Sequence, residues 1–174
     1  MNKYKLSDCG LYAIIDLTRG FCTSINVADL EHANKFKWRV SVQKRKDGSI
    51  RSKYAISSTP RSSGSRGAIL LHRHLMKPPH DLQVDHINGN GLDNRRFNLR
   101  IANKSENQQN SRTPCNNTSG NKGVFWHKNK GKWMAQIGVN GKNIYLGIFK
   151  HKCDAEAAYV KASKDIHKEF SRID

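Results

Sequence analysis

Residues 84–110 read VDHINGNGLDNRRFNLRIANKSENQQN, and the fold of the chain is organised around this stretch. An Asp-His pair ends a short apolar run that predicts a β-strand. The Asn- and Gly-rich residues that follow favour a tight loop, because both residue types readily adopt positive φ angles. The run at residues 98–101 predicts a returning strand. Ser105 is the predicted N-cap of a helix that carries Asn107, so the stretch predicts a strand, loop, strand and helix unit.

The side chains of this stretch carry the groups that a metal-assisted phosphodiester cleavage site needs. The oxygens of Asp85 and of the Asn side chains are hard ligands, which suit Mg²⁺ or Mn²⁺. His86 can accept a proton from water near neutral pH, because an unperturbed imidazole has a pKa of about 6.5. A carboxamide can fix the tautomer and ring plane of such a His. The alternative interpretation is a polar turn region with one surface His.

The spacing of these residues makes the pattern specific. An Asp-His pair, eleven residues, an Asn, eight residues and a further Asn resemble the signature of the HNH nucleases, in particular the phage-encoded and homing types. The resemblance implies a ββα-metal site with one divalent ion. In it, Asp85 is a metal-binding carboxylate, His86 is the general base, and Asn98 hydrogen-bonds and orients His86. Asn107 takes the place of the third motif residue, a metal ligand from the helix, where the family name has His.

Other residues of the stretch have simpler predicted roles. Three arginines flank the motif, and they are expected to contact phosphates because the guanidinium fork matches phosphate oxygens. These are Arg95, Arg96 and Arg100. The alternative for them is a solvated face. The remaining Asn residues of the loop are interpreted as turn residues, namely Asn88, Asn90 and Asn94.

The charge of the chain agrees with a nucleic-acid substrate. Its 174 residues include 31 Lys and Arg against 14 Asp and Glu, which gives a formal net charge of +17. Basic residues outnumber acidic ones in each third of the chain, so the excess is not confined to a tail. A field of this sign favours a polyanionic partner with a long footprint, and we expect double-stranded DNA. A merely soluble basic protein is the alternative.

The residues before the motif predict a β-rich region over residues 1–60. Its predicted elements are a buried strand at residues 11–15, a short helix over residues 27–36, and hairpin strands at residues 38–43 and 54–57. The basic loop of the hairpin is either a solvated tip or a contact to phosphates.

Two further segments lie between this region and the motif. Residues 61–67, RSSGSRG, predict a mobile loop. Residues 68–76, AILLHRHLM, predict a short core element that Pro78-Pro79 ends. His72 and His74 would fall on one face of a strand there, so a second metal site is an alternative interpretation.

The last third of the chain shows the two-residue period of strands. Three strands within residues 123–149 predict an antiparallel sheet, with Asn140-Gly141 as a hairpin turn, and residues 154–170 predict a helix. The alternation places these residues between the sheet and the helix: Val124, Trp126, Trp133, Ala135, Ile137, Val139, Ile144, Leu146 and Ile148.

The run KGVFWHKNKGKWMAQI, followed by YLGIF and AAYVKA, resembles the AP2 DNA-binding domain. This resemblance implies that the outer face of the sheet lies in the major groove of DNA. The residues that match DNA-facing positions are Lys122, Phe125, His127, Lys130, Gln136, Asn143 and Tyr145. Several of these positions are Arg or Trp in the plant domains, so the base preference of that family does not carry over. His151 stands where a Ser or Thr helix cap is usual.

These patterns predict an α+β fold with two modules. The first is a ββα-metal (HNH) nuclease module with a β-rich N-terminal region, over residues 1–110, whose ββα-metal core spans residues 68–110. After a linker at residues 111–121, an AP2-like three-stranded antiparallel sheet plus helix follows at residues 122–170. The predicted function is a metal-dependent DNA endonuclease of homing or nicking type that leaves 5′-phosphate and 3′-hydroxyl ends. A non-cleaving DNA-binding regulator and a restriction-type HNH nuclease are the alternatives.

The cysteines and the hydropathy indicate where such a chain works. None of Cys9, Cys22, Cys115 and Cys153 forms a CxxC pair, so no zinc knuckle is expected. Without a secretory segment or a long apolar run, we expect reduced thiols, no membrane contact and a cytoplasmic protein, in the host cytoplasm if it is phage-encoded. A single site per chain acts on one strand at a time, so a monomer that nicks is expected.

Overall fold

The structure is a computed structural model, which describes residues 2–60, 66–114 and 117–172. Residues 61–65 of the predicted mobile loop lie outside the described residues, and so does Cys115. The thiols of Cys9, Cys22 and Cys153 are free and exposed. Within the three described ranges, no helix is long and apolar enough to cross a membrane.

The chain folds into two compact units, Met1–Ile101 and Ala102–Asp174, each with its own hydrophobic core. Small antiparallel sheets and short helices make up both, which confirms the predicted α+β class. The boundary precedes the helix that carries Asn107, whereas the sequence places that helix in the nuclease region. The predicted functional domains, including the linker at residues 111–121, stay predictions.

The first unit is built from short strands and short helices. In chain order these are β1 (Tyr4–Leu6), β2 (Tyr12–Asp16), β3 (Cys22–Asn26), α1 (Leu30–Ala33), β4 (Arg39–Lys44), β5 (Ile50–Pro60), β6 (Arg66–Leu70), α2 (Leu71–Met76), β7 (Gln83–His86) and β8 (Leu99–Ala102). The strands pair in the orders β1-β2-β3, β4-β5-β6 and β7-β8, and the first two sheets are antiparallel. Three 3-10 helices lie at Thr18–Gly20, Val27–Asp29 and Arg96–Asn98.

The predicted elements of this region are mostly confirmed. Strand β2 covers the predicted buried strand, and β4 and β5 form the predicted hairpin. The helix predicted over residues 27–36 is shorter, because it consists of one 3-10 turn and the four residues of α1. The side-chain nitrogen Nε1 of Trp38 donates to the carbonyl oxygen of Ala33 at 2.7 Å. The last carbonyl of α1 is therefore hydrogen-bonded to a side chain from outside the helix.

The loop of the motif is attached to the edge of β3. The backbone N–H of Ser24 donates to the oxygen of Leu92 at 3.1 Å, and the N–H of Asn94 donates to the oxygen of Ser24 at 2.8 Å. Leu92 also joins the buried core of the unit. Gly91 lies so close to β5 that a β-carbon there would stand 2.3 Å from the oxygen of Lys53. These contacts fix the loop against both larger sheets.

The segment at residues 68–76 contributes Leu71 and Leu75 to the buried core, which confirms the predicted short core element, but its histidines do not lie on a strand. Strand β6 ends at Leu70, and the two histidines lie in α2, so they do not share one face of a strand. The ring of His74 packs against Phe36 at 4.9 Å between ring centroids, and its Nε2 lies 3.1 Å from the oxygen of His32. The ring of His72 packs against the rings of Tyr54 and His86 instead. The interpretation of a shared metal site for these two residues is therefore wrong.

The second unit is a sheet covered by one long helix. In chain order its elements are α3 (Lys104–Gln109), β9 (Val124–His127), β10 (Lys132–Val139), β11 (Lys142–Phe149) and α4 (Lys152–His167), with 3-10 helices at Lys128–Lys130 and Lys168–Phe170. The strand order is β11-β10-β9 and both pairings are antiparallel. Helix α4 packs on this sheet over a core of buried residues, namely Val124, Ala135, Ile137, Ala155 and Tyr159.

A β-bulge in β11 changes part of the predicted core. Gln136 pairs with Tyr145 but Ala135 pairs with Gly147, so Leu146 is the extra residue. The alternation is reversed beyond the bulge, and Phe149 packs against the core. The prediction that Ile148 faces the helix is wrong, because Ile148 pairs with Met134 on the other face.

Two further residues of the predicted core are exposed. Trp126 pairs with Trp133 and shares its face of the sheet, yet it stays 47% exposed on the edge strand β9. Ile144 is 44% exposed. The alternation assigned the correct face to Trp126, but it could not show how far the helix covers that face.

The helix α3 begins with a capping box rather than at the predicted cap. The Asn103 side chain accepts from the N–H of Glu106 at 2.9 Å, and the Glu106 carboxylate accepts from the N–H of Asn103 at 2.7 Å. Ser105, the predicted N-cap, lies inside the helix and accepts from the N–H of Asn140 at 3.1 Å. The prediction for Ser105 is wrong, because the reciprocal pair satisfies two orphan N–H groups at once. At α4, His151 makes no side-chain cap bond.

Candidate active site

His86 is the last residue of β7 and is almost fully buried, with 6% of its surface exposed. Its Nε2 lies 3.1 Å from Oδ1 of Asn94, and both side chains are buried. Two further rings pack against the imidazole. The His72 ring meets it edge to face at 4.9 Å between centroids, and the Tyr54 ring lies at 6.0 Å. The hydrogen bond to Asn94 and the ring contacts with His72 and Tyr54 therefore help to hold the imidazole in place.

The environment of His86 favours the neutral form of the imidazole over the charged form, compared with an imidazole in water. Burial lowers the pKa of His86 below its usual value, because the charged form loses hydration. The hydrogen bond to Asn94 and the charges of Asp85 and Asp93 act in the opposite direction, but burial outweighs them. A neutral imidazole at neutral pH is the form that can accept a proton.

Asp85 precedes His86 on β7 and is also buried, at 5% exposure. Its Oδ2 accepts from Nε of Arg100 at 2.8 Å, and Nη2 of Arg100 lies 2.8 Å from the same oxygen in an ion pair. Arg100 lies on β8, the strand that pairs with β7. The Arg100 side chain is itself largely buried, so this is a shielded ion pair. A carboxylate whose charge is balanced by a cation in this way can stay ionised inside the protein.

Asn98 holds the loop of the motif together. Its Nδ2 donates to the backbone oxygen of Asp93 at 2.8 Å and to Oδ1 of Asn88 at 3.1 Å, while its Oδ1 accepts from the N–H of Asn88 at 3.0 Å. The sequence assigns the orientation of His86 to Asn98, but Asn94 makes the contact to the imidazole. Whether Asn98 acts in the reaction stays a prediction. No signal in the sequence distinguishes Asn94 from the neighbouring turn residues.

Each of the three flanking arginines is paired with a carboxylate of the protein. Arg95 binds Asp93 through Nε at 2.7 Å and Nη2 at 2.8 Å, and these bonds lower the pKa of Asp93 and raise the pKa of Arg95. Arg96 binds Asp29 through Nη2 at 2.6 Å and Nε at 3.0 Å, and the pKa of Arg96 is raised by this bond.

The arginine pairs restrict which guanidinium groups can reach DNA. The Arg95 guanidinium also packs on two rings, those of Tyr12 at 5.0 Å and Phe97 at 4.6 Å. The Arg96 side chain remains 50% exposed, against 13% for Arg100. Arg96 is therefore the most accessible of the three, although phosphate contact stays a prediction for all of them.

The oxygen donors of the motif are of the kind that a hard divalent cation prefers. Over the part of the chain that the structure describes, no group of three or more His, Cys, Asp and Glu side chains is placed to hold a metal. Zinc sites in proteins use three or four such ligands. Mg²⁺ is commonly held by one or two carboxylates together with waters and substrate phosphates. The carboxylate of Asp85 is an oxygen donor of this kind, and in the structure its Oδ2 is paired with Arg100.

Asn107 lies in α3 and is half-buried. Its N–H continues the helix by donating to the oxygen of Asn103 at 3.0 Å. The C-terminal end of this helix is held by Lys122, whose Nζ donates to the oxygens of Gln109 at 2.7 Å and Ser111 at 2.9 Å. A lysine at a helix C-terminus also complements the helix dipole. Lys122 is one of the residues predicted to face DNA, and the sequence did not predict that it would bind the end of this helix.

The other predicted DNA-facing residues share one face of the sheet of the second unit. In the register, Gln136 pairs with Tyr145 and Phe125 with Met134, so these four lie on the face opposite the Ala135 side of the core. His127 pairs with Lys132 and Asn143 with Gly138 on that same face. Asn143 and Tyr145 are exposed, and Lys130 is exposed in the turn. Their contact with DNA stays a prediction.

His72 is a buried histidine next to His86 that the sequence did not assign to the site. Burial, with smaller contributions from the charges of His86 and Arg73, lowers the pKa of His72 to about 3. Its Nδ1 is buried with no hydrogen-bond partner among the described residues. The ring therefore acts as a neutral packing surface for His86 and Tyr54.

We expect acid to destabilise the wild-type protein more than a His72→Phe variant. The unfolded chain takes up the proton near pH 6.5 and the folded chain does not, so stability is present above that pH and falls as the pH drops. The loss per pH unit is about 1.4 kcal/mol down to the folded pKa. Denaturant titrations from about pH 7 to about pH 4.5 measure it. The exposed His80→Gln variant is the control, and parallel curves for wild type and His72→Phe would refute the burial of a neutral imidazole.

Comparison with known proteins adds to this geometry. Residues 71–109 match the family model described as HNH endonuclease. That range runs from α2 through β7, the loop and β8 to α3. The chain is also 33% identical over 95 residues to "Protein 3.8" of Escherichia phage T7, which covers 55% of this chain and 78% of that protein. No solved structure matches the chain significantly.

The chain belongs to the HNH endonucleases, and it carries the phosphodiester hydrolase domain of that family. Membership of this family implies a DNA nuclease, and HNH nucleases generally use a divalent metal. The chain is also a distant relative of Protein 3.8 of phage T7. The buried Asp85 and His86 lie inside the matched residues, as do Asn94, Asn98 and Asn107.

Proposed function

We propose that this chain is a Mg²⁺- or Mn²⁺-dependent DNA endonuclease of the homing or nicking type, which hydrolyses one phosphodiester bond at a time. The observation that carries the proposal is the buried His86 beside the buried Asp85 at the end of β7, each held by a second side chain. The proposed products are a 5′-phosphate and a 3′-hydroxyl. Double-strand cleavage would require two sequential events or a dimer.

His86 is the proposed general base. Asn94 holds its ring through Nε2, and burial lowers the pKa of His86, which favours the neutral form that can take a proton from the attacking water. The ring contacts with His72 and Tyr54 limit its rotation. General-base assistance by a positioned side chain contributes typically about 10²–10⁴ in rate.

Asp85 and Asn107 are the proposed ligands of the divalent ion. When bound, this ion supplies the positive charge that stabilises the pentavalent phosphate and the leaving 3′ oxygen. The donor types support this proposal, since a carboxylate and a carboxamide are oxygen ligands of the kind that Mg²⁺ and Mn²⁺ prefer. In the structure, the guanidinium of Arg100 balances the negative charge of the Asp85 carboxylate.

The outward face of the second unit's sheet is the proposed surface for placement on DNA. It presents aromatic and amide side chains edged by lysines, and it lies opposite the helix α4. The major groove of DNA admits a two-stranded β-ribbon. The AP2-like arrangement of three strands and a helix supports this assignment.

The proposal is tested by incubating purified protein with supercoiled plasmid and Mg²⁺ or Mn²⁺. A nicked circle supports it. Intact DNA that is still shifted in a gel would instead support the non-cleaving regulator. Digestion of phage and bacterial genomic DNA separates the remaining alternatives, since a homing-type enzyme gives few discrete cuts, a restriction-type enzyme gives many discrete fragments and a nonspecific nuclease gives a smear.

We expect Lys130→Ala to weaken DNA binding and to make it less dependent on salt. Each lost phosphate contact lowers the slope of log affinity against log salt by about 0.9. Lys164→Ala is the matched control, because Lys164 is also an exposed lysine but lies on α4 behind the sheet. Fluorescence anisotropy over a salt series measures both slopes. Equal slopes for the two variants would remove the sheet face from the proposed DNA contact.

A further inference from the structure

A cavity of about 350 Å³ lies in the first unit beside the loop of the motif. Its walls come from three segments that are far apart in the chain, namely the residues around the start of β3, Lys53 of β5 and the loop residues between Asn90 and Arg95. Binding sites for small ligands have volumes of about 300–1,000 Å³. Cys22 and Asn90 line the cavity and are exposed, so a large ligand can reach it.

The lining of the cavity has an excess of positive charge. It includes two cations, Lys53 and Arg95, and one carboxylate, that of Asp93. Both oxygens of Asp93 are already engaged, because Arg95 donates to Oδ1 and Oδ2 and Asn88 donates to Oδ2 at 2.9 Å. Within the described part of the chain, no carboxylate forms an ion pair with the Lys53 ammonium. The positive charge of Lys53 is therefore available to an anion.

The groups around this charge suit a phosphate that is attached to a sugar. Arg95 binds Asp93 through Nε and Nη2, so its Nη1 is the part of the guanidinium that this ion pair does not use. An ammonium and a guanidinium both bind phosphate oxygens. The Lys53 Nζ lies 4.8 Å from the centroid of the Phe21 ring, so the cationic group and an apolar surface are adjacent.

The cavity and His86 lie on opposite faces of β5. Lys53 and Tyr54 are successive residues of this strand, and successive side chains point to opposite faces. The Tyr54 ring packs near the His86 ring at 6.0 Å between centroids, whereas Lys53 lines the cavity. A ligand in the cavity is therefore distinct from the phosphodiester group that His86 is proposed to attack.

We propose that this cavity binds a sugar-phosphate unit of the DNA backbone away from the scissile bond. Lys53 and Arg95 hold its phosphate, and its deoxyribose packs against Phe21. The inference rests on the proposed function, since it takes DNA as the ligand. Phosphate contacts fix the register of a protein on a duplex without reading its sequence. The cavity thus anchors the first unit on DNA whatever the local base sequence.

The Lys53→Met variant tests the site, because it removes the charge and keeps an unbranched side chain over Phe21. The dissociation constant for a fluorescein-labelled DNA duplex should rise about tenfold, the effect of losing one hydrogen bond to a charged group. The slope of log affinity against log salt should fall by about 0.9. Fluorescence anisotropy in EDTA measures both, so the result does not depend on cleavage. Lys53→Arg keeps the charge and should bind like the wild type. Lys35→Met removes an exposed lysine outside the cavity and should keep the wild-type slope.

Alkylation of Cys22 by iodoacetamide locates the DNA without any substitution. The thiol of Cys22 is free and exposed in the cavity lining, and the thiol of Cys9 is free and exposed outside it. A saturating DNA duplex should slow the alkylation of Cys22 several-fold and leave that of Cys9 unchanged, as peptide mass spectrometry reports. This measurement decides the matter if Lys53→Met does not fold.

The proposal is overturned if Lys53→Met binds DNA with the wild-type dissociation constant and salt slope, or if DNA leaves Cys22 as reactive as in the free protein. Protection of Cys22 by the mononucleotide dAMP but not by the duplex would assign the cavity to a free nucleotide and also overturn it. DNA binding that depends on Lys53 in a protein that never nicks DNA would count against the proposed function alone, which separates the two failures.

Discussion

The His86→Ala variant should nick DNA about 10²–10⁴-fold more slowly than the wild-type protein while it binds DNA with the same affinity. The imidazole is buried behind Asn94, His72 and Tyr54, so it contributes little surface to a DNA complex. Its loss removes the group that takes the proton from water. Single-turnover nicking with Mn²⁺ measures the rate, and gel shift in EDTA measures the affinity.

Two controls make this result specific. His80→Ala removes an exposed histidine of the same unit and should leave the rate unchanged. Because His86 is buried, His86→Gln is needed as a variant that fills more of the space and retains a polar group near Asn94. An equal loss of cleavage and binding in both His86 variants would refute the general-base role.

The Asp85→Asn variant should lose metal-dependent cleavage by a factor on the order of 10³, since a metal ion contributes several kcal/mol of charge stabilisation to the transition state. Asn is preferred to Ala here because the Asn oxygen can still accept from Arg100. Removing the acceptor altogether would leave the largely buried Arg100 without its partner, which costs about 3–5 kcal/mol of folding stability. Rates measured over a Mn²⁺ series give both the maximal rate and the metal requirement.

The control for this charge change is Asp16→Asn, an exposed carboxylate at the end of β2. It raises the net charge of the protein by the same amount and should cleave normally. Asp85→Asn should need more Mn²⁺ to reach its residual rate. Full activity in Asp85→Asn at the wild-type metal concentration would remove Asp85 from the metal site.

The parts of the fold that follow from local pattern were predictable. A short apolar run predicted β2. The alternation of apolar residues predicted the β4–β5 hairpin and the three strands of the second unit, because one face of each strand is buried. The spacing of Asp85, His86 and Asn98 predicted an HNH motif, and these residues lie within the range that matches the HNH endonuclease family. Turn chemistry predicted the loop between β7 and β8.

What could not be predicted depends on contacts between residues far apart in the chain. Asp29 lies 67 residues from Arg96, and Thr23 lies 71 residues from Asn94, so neither pairing leaves a local pattern. The arginines were expected at phosphates and are found on carboxylates. Asn94 resembled its turn neighbours and proved to contact His86. The bulge at Leu146 moved Phe149 into the core, because a single extra residue reverses the alternation.

The central claim is that the chain cleaves DNA hydrolytically with a divalent metal and leaves a 5′-phosphate beside a 3′-hydroxyl. The most direct measurement combines nicking of supercoiled plasmid in Mg²⁺ or Mn²⁺ with resealing of the product by DNA ligase, which accepts only those ends. The account predicts nicking that EDTA abolishes and a nicked circle that ligase closes completely. Nicking that persists in EDTA, or a nick that ligase cannot close until its ends are repaired, would contradict it.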